Sequence, residues 1–282
     1  MATDTSRISI TAHYTGYVWY KNGLSTAGFA TPMGRLAYYG LLPGDSLARK
    51  FIGSDLETQL LQRHLIIDHL LQQAIQQHGK IQVLELACGL SPRGHRFTRR
   101  FSAEQLKYVE ADLPGMAKRK TELLRSVQSL SQQHYVRSCN ILATEGPESL
   151  EALIENEFDQ RLPLVVITEG LVNYFPYDLI SPFWARLSQS LKPFTYGAYL
   201  TDMVSDDKQH NNSQWLNLGM QLLSVAARGK TALHFNGDES VKQGLQALGF
   251  KQVFVHDPVN YYSQLSIPVS KVAPSIRVVE CV

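Results

Sequence analysis

From Ile81 onward short apolar runs alternate with longer stretches of helical periodicity, and this alternation constrains the fold more than any other feature of the chain. "IQVLELAC" (81–88), "LKYVEAD" (106–112), "HYVRSCNI" (134–141), "LPLVVITEG" (162–170) and "FTYGAYLTDM" (194–203) read as strands. The intervening stretches 94–103, 115–130, 147–156 and 178–191 read as helices. Strands that alternate with helices imply βαβ units and a mainly parallel sheet. Upstream, Leu56, Leu60, Leu61, Leu65, Ile66, Leu70 and Leu71 recur at helical spacing, which predicts an amphipathic helix over 55–77 that Gly79 ends. Downstream, 213–227 and 239–248 are predicted helices, and "FKQVFVHD" (250–257) and "SIRVVEC" (275–281) predicted strands. No helix separates these last two strands. They are expected to pair antiparallel, although their 17-residue connection is long for a hairpin.

Composition narrows the class. The chain has 282 residues, 44% apolar and 18% charged, with 27 Lys+Arg against 25 Asp+Glu. That balance suits a globular core, excludes a disordered chain, and argues against nucleic acid as the main partner. Apolar runs are short, as in Leu164 to Ile167, well below the roughly 20 residues that span a bilayer. Met1 to Ile10 carries no apolar export segment, so a cytoplasmic location and no membrane partner are expected. Cys88, Cys139 and Cys281 form no CxxC pair, and the nine histidines show no zinc spacing, so no metal is expected.

In an open parallel sheet, ligands bind beyond the carboxyl ends of the strands. The residues there are informative. After the first strand comes Glu85-Leu86-Ala87-Cys88-Gly89-Leu90-Ser91, where small residues let a backbone approach a ligand closely. The second ends on Glu110 and Asp112, about 25 residues beyond Glu85, a distance that suits a carboxylate on a ribose diol. The third leads to Asn140 and the fourth to Glu169-Gly170. Such carboxylates also cap helices, but their recurrence at successive strand ends favours a binding site. The GxGxxG fingerprint is absent, because 87–92 reads Ala-Cys-Gly-Leu-Ser-Pro, which weakens a nicotinamide dinucleotide site. Arg228-Gly229-Lys230-Thr231 lacks the earlier glycine of a phosphate loop, since position 224 is Ser224. Arg93, His95, Arg96, Arg99 and Arg100 read as helix-face charge plus one buried ion pair rather than a phosphate site.

Three segments resemble the leucine carboxyl methyltransferase family, which includes protein-phosphatase carboxyl methyltransferases and polyketide O-methyltransferases of the tetracenomycin type. They are "VLELACGLSPRGHRF" (83–97), "YVEADLPGMAKRKTELL" (108–124) and "VVITEGLVNYF" (165–175). The most specific features are Asp-Leu-Pro followed by Lys120 and a leucine pair, and Glu-Gly-Leu at 169–171 with Tyr174. The resemblance covers roughly 60–200. It implies a class I S-adenosylmethionine-dependent methyltransferase. The expected fold is a Rossmann-like doubly wound seven-stranded sheet, mostly parallel with an antiparallel last strand. Within one domain over 1–282, residues 1–54 would form a helical, aromatic lid, 55–202 the cofactor-binding core, 203–236 a lid insertion after the fifth strand, and 237–282 the end of the sheet.

The resemblance also implies cofactor contacts. Glu85, Cys88 and Gly89 belong to the loop under the methionine part, Asp112 to the ribose, and Asn140 and Ile141 to the adenine. Glu169 would take the methionine ammonium and Arg63 its carboxylate. Lys120 and Arg96 are expected to be structural. The chain departs from the family at Ala87, where the loop's first glycine is expected, at Asn140, where aspartate is usual, and at Ser91.

The acceptor is expected to be a hydroxyl or carboxylate of a small molecule. Two alternatives are a protein C-terminal carboxyl methyltransferase and a non-catalytic S-adenosylmethionine-binding protein. A carboxylate needs no base, whereas an alcohol gains from one. His13, Tyr14 and Tyr174 are candidates against which aromatic core packing weighs, so Tyr174 is expected only as a substrate contact. Tyr14, Tyr17, Trp19, Tyr20 and Phe29, with Trp215, Leu216 and Met220 of the insertion, are expected to shape an acceptor pocket. An aromatic lid suits a small, partly apolar acceptor.

Overall fold

The computed structural model describes residues 8–51, 56–204 and 232–282. The predicted helix 213–227, with Trp215, Leu216 and Met220, lies outside the described residues. A seven-stranded sheet runs in the order β3-β2-β1-β4-β5-β7-β6. Its strands are β1 (Ile81–Leu86), β2 (Leu106–Asp112), β3 (His134–Ser138), β4 (Leu164–Thr168), β5 (Gly197–Val204), β6 (Val253–His256) and β7 (Ile276–Cys281). β1 to β5 are parallel, and β7 runs antiparallel to both β5 and β6. The order reverses between β1 and β4, so the crevice beyond their carboxyl ends is the switch point where ligands bind in such sheets.

All six residues of β1 and all five of β4 are buried, as expected of central strands covered on both faces. The helices are α1 (Ile8–Lys21), α2 (Pro32–Phe51), α3 (Leu56–His78), α4 (Arg93–Arg100), α5 (Pro114–Ser126), α6 (Leu150–Glu157), α7 (Tyr177–Leu191) and α8 (Asp238–Ala247). Local chemistry sets several boundaries. Pro114 opens α5, where a missing N–H costs nothing, and the Ser149 hydroxyl accepts the Ala152 N–H to cap α6. The predicted β6–β7 pairing holds. Its long connection is pinned to α3 by Gln62, whose amide donates to the Pro268 carbonyl (2.8 Å), the Ser270 hydroxyl (3.1 Å) and the Tyr262 hydroxyl (3.1 Å).

Helices α1 and α2 pack on α3 through Tyr14, Tyr17, Val18, Tyr38, Leu60 and Leu61. Tyr14, 1% exposed, is therefore a core residue of this packing. The same arrangement lays α1 across the β1–α4 loop. Gly16 abuts Leu90, and a Cβ at Gly89 would stand 3.2 Å from the Ala12 Cβ.

Candidate active site

Three elements reach the switch point with charged side chains. Helix α3 brings Arg63, His64 and Asp68, β4 ends before Glu169, and β5 carries Asp202. They meet around Arg93, the first residue of α4, which is completely buried. Arg93 donates through Nε to Asp68 (2.6 Å), through Nη1 to Glu85 (2.8 Å) and through Nη2 to Glu169 (2.6 Å). Arg63 joins Glu169 (3.2 Å) to Asp202 (3.0 Å), and Arg96 pairs with the second oxygen of Asp68. The arginine cluster thus divides as its spacing suggested, into a buried network at Arg93 and an exposed face at Arg99 and Arg100. Arg63 is a half-buried, doubly paired residue of the site.

Burial alone would raise the pKa of Glu169. The charges and hydrogen bonds at His64, Arg93 and Arg63 overcome that and hold it well below the usual carboxylate range. Burial, aided by the nearby arginines, pulls His64 down to about 4, so its ring is neutral at pH 7. A neutral ring protonated on Nδ1 donates to Glu169 at 2.8 Å and leaves Nε2 to accept from Arg96 at 3.4 Å. Three arginines then face four carboxylates, Glu85, Asp68, Glu169 and Asp202, leaving one excess negative charge.

Glu85 is not beyond the first strand, as its sequence position suggested, but inside β1. Both its oxygens are taken, one by Arg93 and the other by the Tyr108 hydroxyl at 2.7 Å. Glu110 likewise leaves the site, pairing with Lys120 (2.6 Å) and His134 (2.9 Å) in a separate buried cluster. Lys120 also donates to the Ser91 carbonyl at 2.6 Å, the structural role expected of it.

Asp112 ends β2 differently. One oxygen accepts the Gly89 N–H and the other the Leu113 N–H, both at 2.8 Å. No cation among the described residues pairs with it. Burial raises its pKa, partly offset by those two N–H groups. The loop it holds is tightly wound, with Ala87 at φ 50° and Gly89 at φ 49°. Cys88 is buried and desolvation pushes its thiol pKa well up, so it is a neutral packing group. Gly170 sits at φ 65°, and any Cβ there would collide with the Arg63 guanidinium, which explains glycine after Glu169.

β3 ends at Ser138, so Asn140 and Ile141 fall in the following turn. The Asn140 side-chain oxygen accepts the Leu142 N–H at 3.0 Å, and Ile141 is buried with its carbonyl bonded by Arg186. Tyr174 hydrogen-bonds Thr11 of α1, beside Arg63 and Asp202. His13 is bonded to Thr31 at 2.9 Å, and burial lowers its pKa, assisted by Arg119.

Among sequence-expected residues, the structure brings together Arg63, Glu85 and Glu169 in one network and Gly89 with Asp112 in another contact. Asn140 and Ile141 stand apart, beyond β3. His64, Asp68, Arg93 and Asp202 were not expected at the site. Asp202 had a readable signal, being one more acidic residue at a strand end. His64 and Asp68 were visible as polar residues, four apart, on the apolar helix of 55–77.

The comparisons with known proteins agree with the fold. A DUF574 family protein from Streptomyces avermitilis superposes with a TM-score of 0.61 over 96% of either chain, at 11% identity. The CurJ carbon methyltransferase does so at 0.53, 15% identity, over 99% of this chain and 67% of the other. The methyltransferase SibL gives 0.52 at 12% identity, over 100% and 70%. The fold is that of class I methyltransferases. The model of the leucine carboxyl methyltransferase family matches residues 45–183, the span from the end of α2 into α7. The matched family model is that of a methyltransferase. No curated protein matches the chain. No described helix is long and apolar enough to cross a membrane.

Proposed function

We propose that the chain methylates an oxygen, a hydroxyl or a carboxylate, of a small, partly apolar molecule. Asp112 carries this reading of the site. It is a half-buried carboxylate with two backbone N–H partners and no described cation, and each oxygen keeps a lone pair for a ribose hydroxyl. The charge balance adds support. The network at Arg93 holds one excess negative charge, whereas S-adenosylmethionine, with sulfonium, ammonium and carboxylate, carries one net positive charge. A buried net charge is costly alone and is offset by a ligand of opposite sign.

In this reading Glu169 accepts the ammonium. Its contacts with Arg63, His64 and Arg93 use three of about four lone-pair positions. Arg63 offers Nη2, which no described carboxylate takes, to the ligand carboxylate. Cys88 and Gly89 give the methionine part a backbone floor, with Glu85 holding that loop through Arg93. Asn140 and Ile141 border the adenine, where the Asn140 amide can donate where aspartate could not.

When bound, the cofactor supplies a methyl on positively charged sulfur, which leaves as a neutral thioether once the acceptor oxygen attacks in line. The protein's part is orientation and exclusion of water. Tyr174, tied to α1 beside Arg63, is placed to contact the acceptor, and desolvation keeps its phenol protonated at neutral pH. A carboxylate acceptor needs no base. The family's description, which names a carboxyl group as acceptor, favours that branch.

Transfer of a radiolabelled methyl to a panel of small carboxylic acids and phenols tests the proposal. Label released as methanol by mild base marks an ester, and base-stable label lost to ether-cleaving acid marks an ether. Base- and acid-stable label on carbon would overturn the assignment to oxygen.

A further inference from the structure

A cavity of about 390 Å³ lies between α3, α4, the turn after α1 and the β6–β7 connection. Its size falls in the range of small-molecule sites. Leu24, Leu65, Phe97 and Leu265 give it an apolar interior. His69, Gln72, Arg96 and Arg100 supply its polar wall.

The charge on that wall is unbalanced. Asp68 is the acidic lining residue, and its carboxylate is shared between Arg96 and the buried Arg93. Arg100, one helical turn beyond Arg96, donates to the neutral Gln72 amide at 2.9 Å, and no described carboxylate pairs with it. One guanidinium without a described carboxylate, that of Arg100, therefore lines the apolar cavity beside the Arg96–Asp68 pair.

We propose that this cavity binds an amphiphilic carboxylate, with the head group on Arg100 and the apolar body against Leu24, Phe97 and Leu265. Guanidinium forks match carboxylates in a bidentate fashion, and long apolar chains suit such an interior. The cavity shares the Arg96–Asp68 pair with the network at Arg93, whereas Arg100, Leu24, Phe97 and Leu265 lie outside that network.

Titration of the protein with octanoate, in the presence of saturating S-adenosylhomocysteine, tests it by calorimetry, with octanol as the uncharged control. Saturable octanoate binding at least ten-fold tighter than octanol is expected. Arg100→Gln, at an exposed position, is expected to weaken octanoate about ten-fold or more while leaving octanol and S-adenosylhomocysteine unaffected. Leu24→Trp, which fills the cavity, is expected to abolish binding of both octyl compounds. Equal affinities for octanoate and octanol, insensitivity to Arg100→Gln, or absence of octanoate binding would overturn the proposal. Octanoate binding that appears only without S-adenosylhomocysteine would place it in the cofactor crevice and overturn it equally.

Discussion

Two buried charge clusters lie on either side of β1, and they are built to different ends. Around β2 and β3, Glu110 meets Lys120 and His134 with all three fully buried, and Gly94 is required because any Cβ would strike Glu110 and His134. That cluster is closed, with one carboxylate matched by one ammonium and the ammonium anchored on the Ser91 carbonyl. Around α3, β4 and β5, the Arg93 network has more carboxylate than cation and opens on the switch point. A closed cluster contributes fixed geometry. An unbalanced one stores a charge for something else to complete.

Removing the central cation separates the two most strongly. Arg93→Met leaves Asp68, Glu85 and Glu169 without their common partner and should cost about 3–5 kcal/mol of stability, read by urea unfolding. S-adenosylhomocysteine affinity should fall with it, because Glu169 loses its orientation. Lys120→Met should cost a similar amount, about 3–5 kcal/mol, by stranding Glu110. Here affinity per folded molecule should stay within a few-fold of wild type. If both variants lose binding equally, the distinction between the clusters fails.

Titration gives the next largest effect. His64 is neutral in the fold with a pKa near 4, against an ordinary 6.5. Between those values the unfolded chain binds the extra proton, so stability falls as the pH drops. The loss should be about 2 kcal/mol between pH 7 and 5, which His64→Gln should remove. A wild-type stability independent of pH over this window would mean that His64 titrates in the fold as it does in the unfolded chain.

The smallest effect concerns the loop between the clusters. Ala87 holds a left-handed φ of 50°, where glycine is the unstrained choice. Ala87→Gly should stabilise the protein by about 1 kcal/mol in urea unfolding. Unchanged or lower stability would show that the Ala87 methyl packs well enough to compensate.

The sheet was legible because alternation and helical spacing act over a few residues. Every described strand lies within or close to its predicted span, with ends shifted where residues such as Asn140 turn back on their own backbone. Asp112 and Glu169 were legible because strand ends in a parallel sheet converge. Glu85 was misplaced because a buried carboxylate inside a strand needs a guanidinium, and Arg93 arrives from the next helix only through the turn at Ala87 to Ser91. Partners such as His64, Asp68 and Asp202 come from α3 and β5, far along the chain, and local pattern does not pair them. The packing of α1 on Gly89 is of the same kind: the aromatic N-terminal stretch announced burial, while its target became visible only in three dimensions.

Calorimetric binding of S-adenosylhomocysteine to the wild type and to Asp112→Ala, with NAD and ATP as controls, tests the central claim most directly. Binding to the wild type but not of the controls, weakened by about 1–3 kcal/mol in Asp112→Ala, is the predicted result. Equal affinity in the two proteins, or comparable binding of NAD or ATP, would contradict the assignment of the open cluster and Asp112 as the cofactor site.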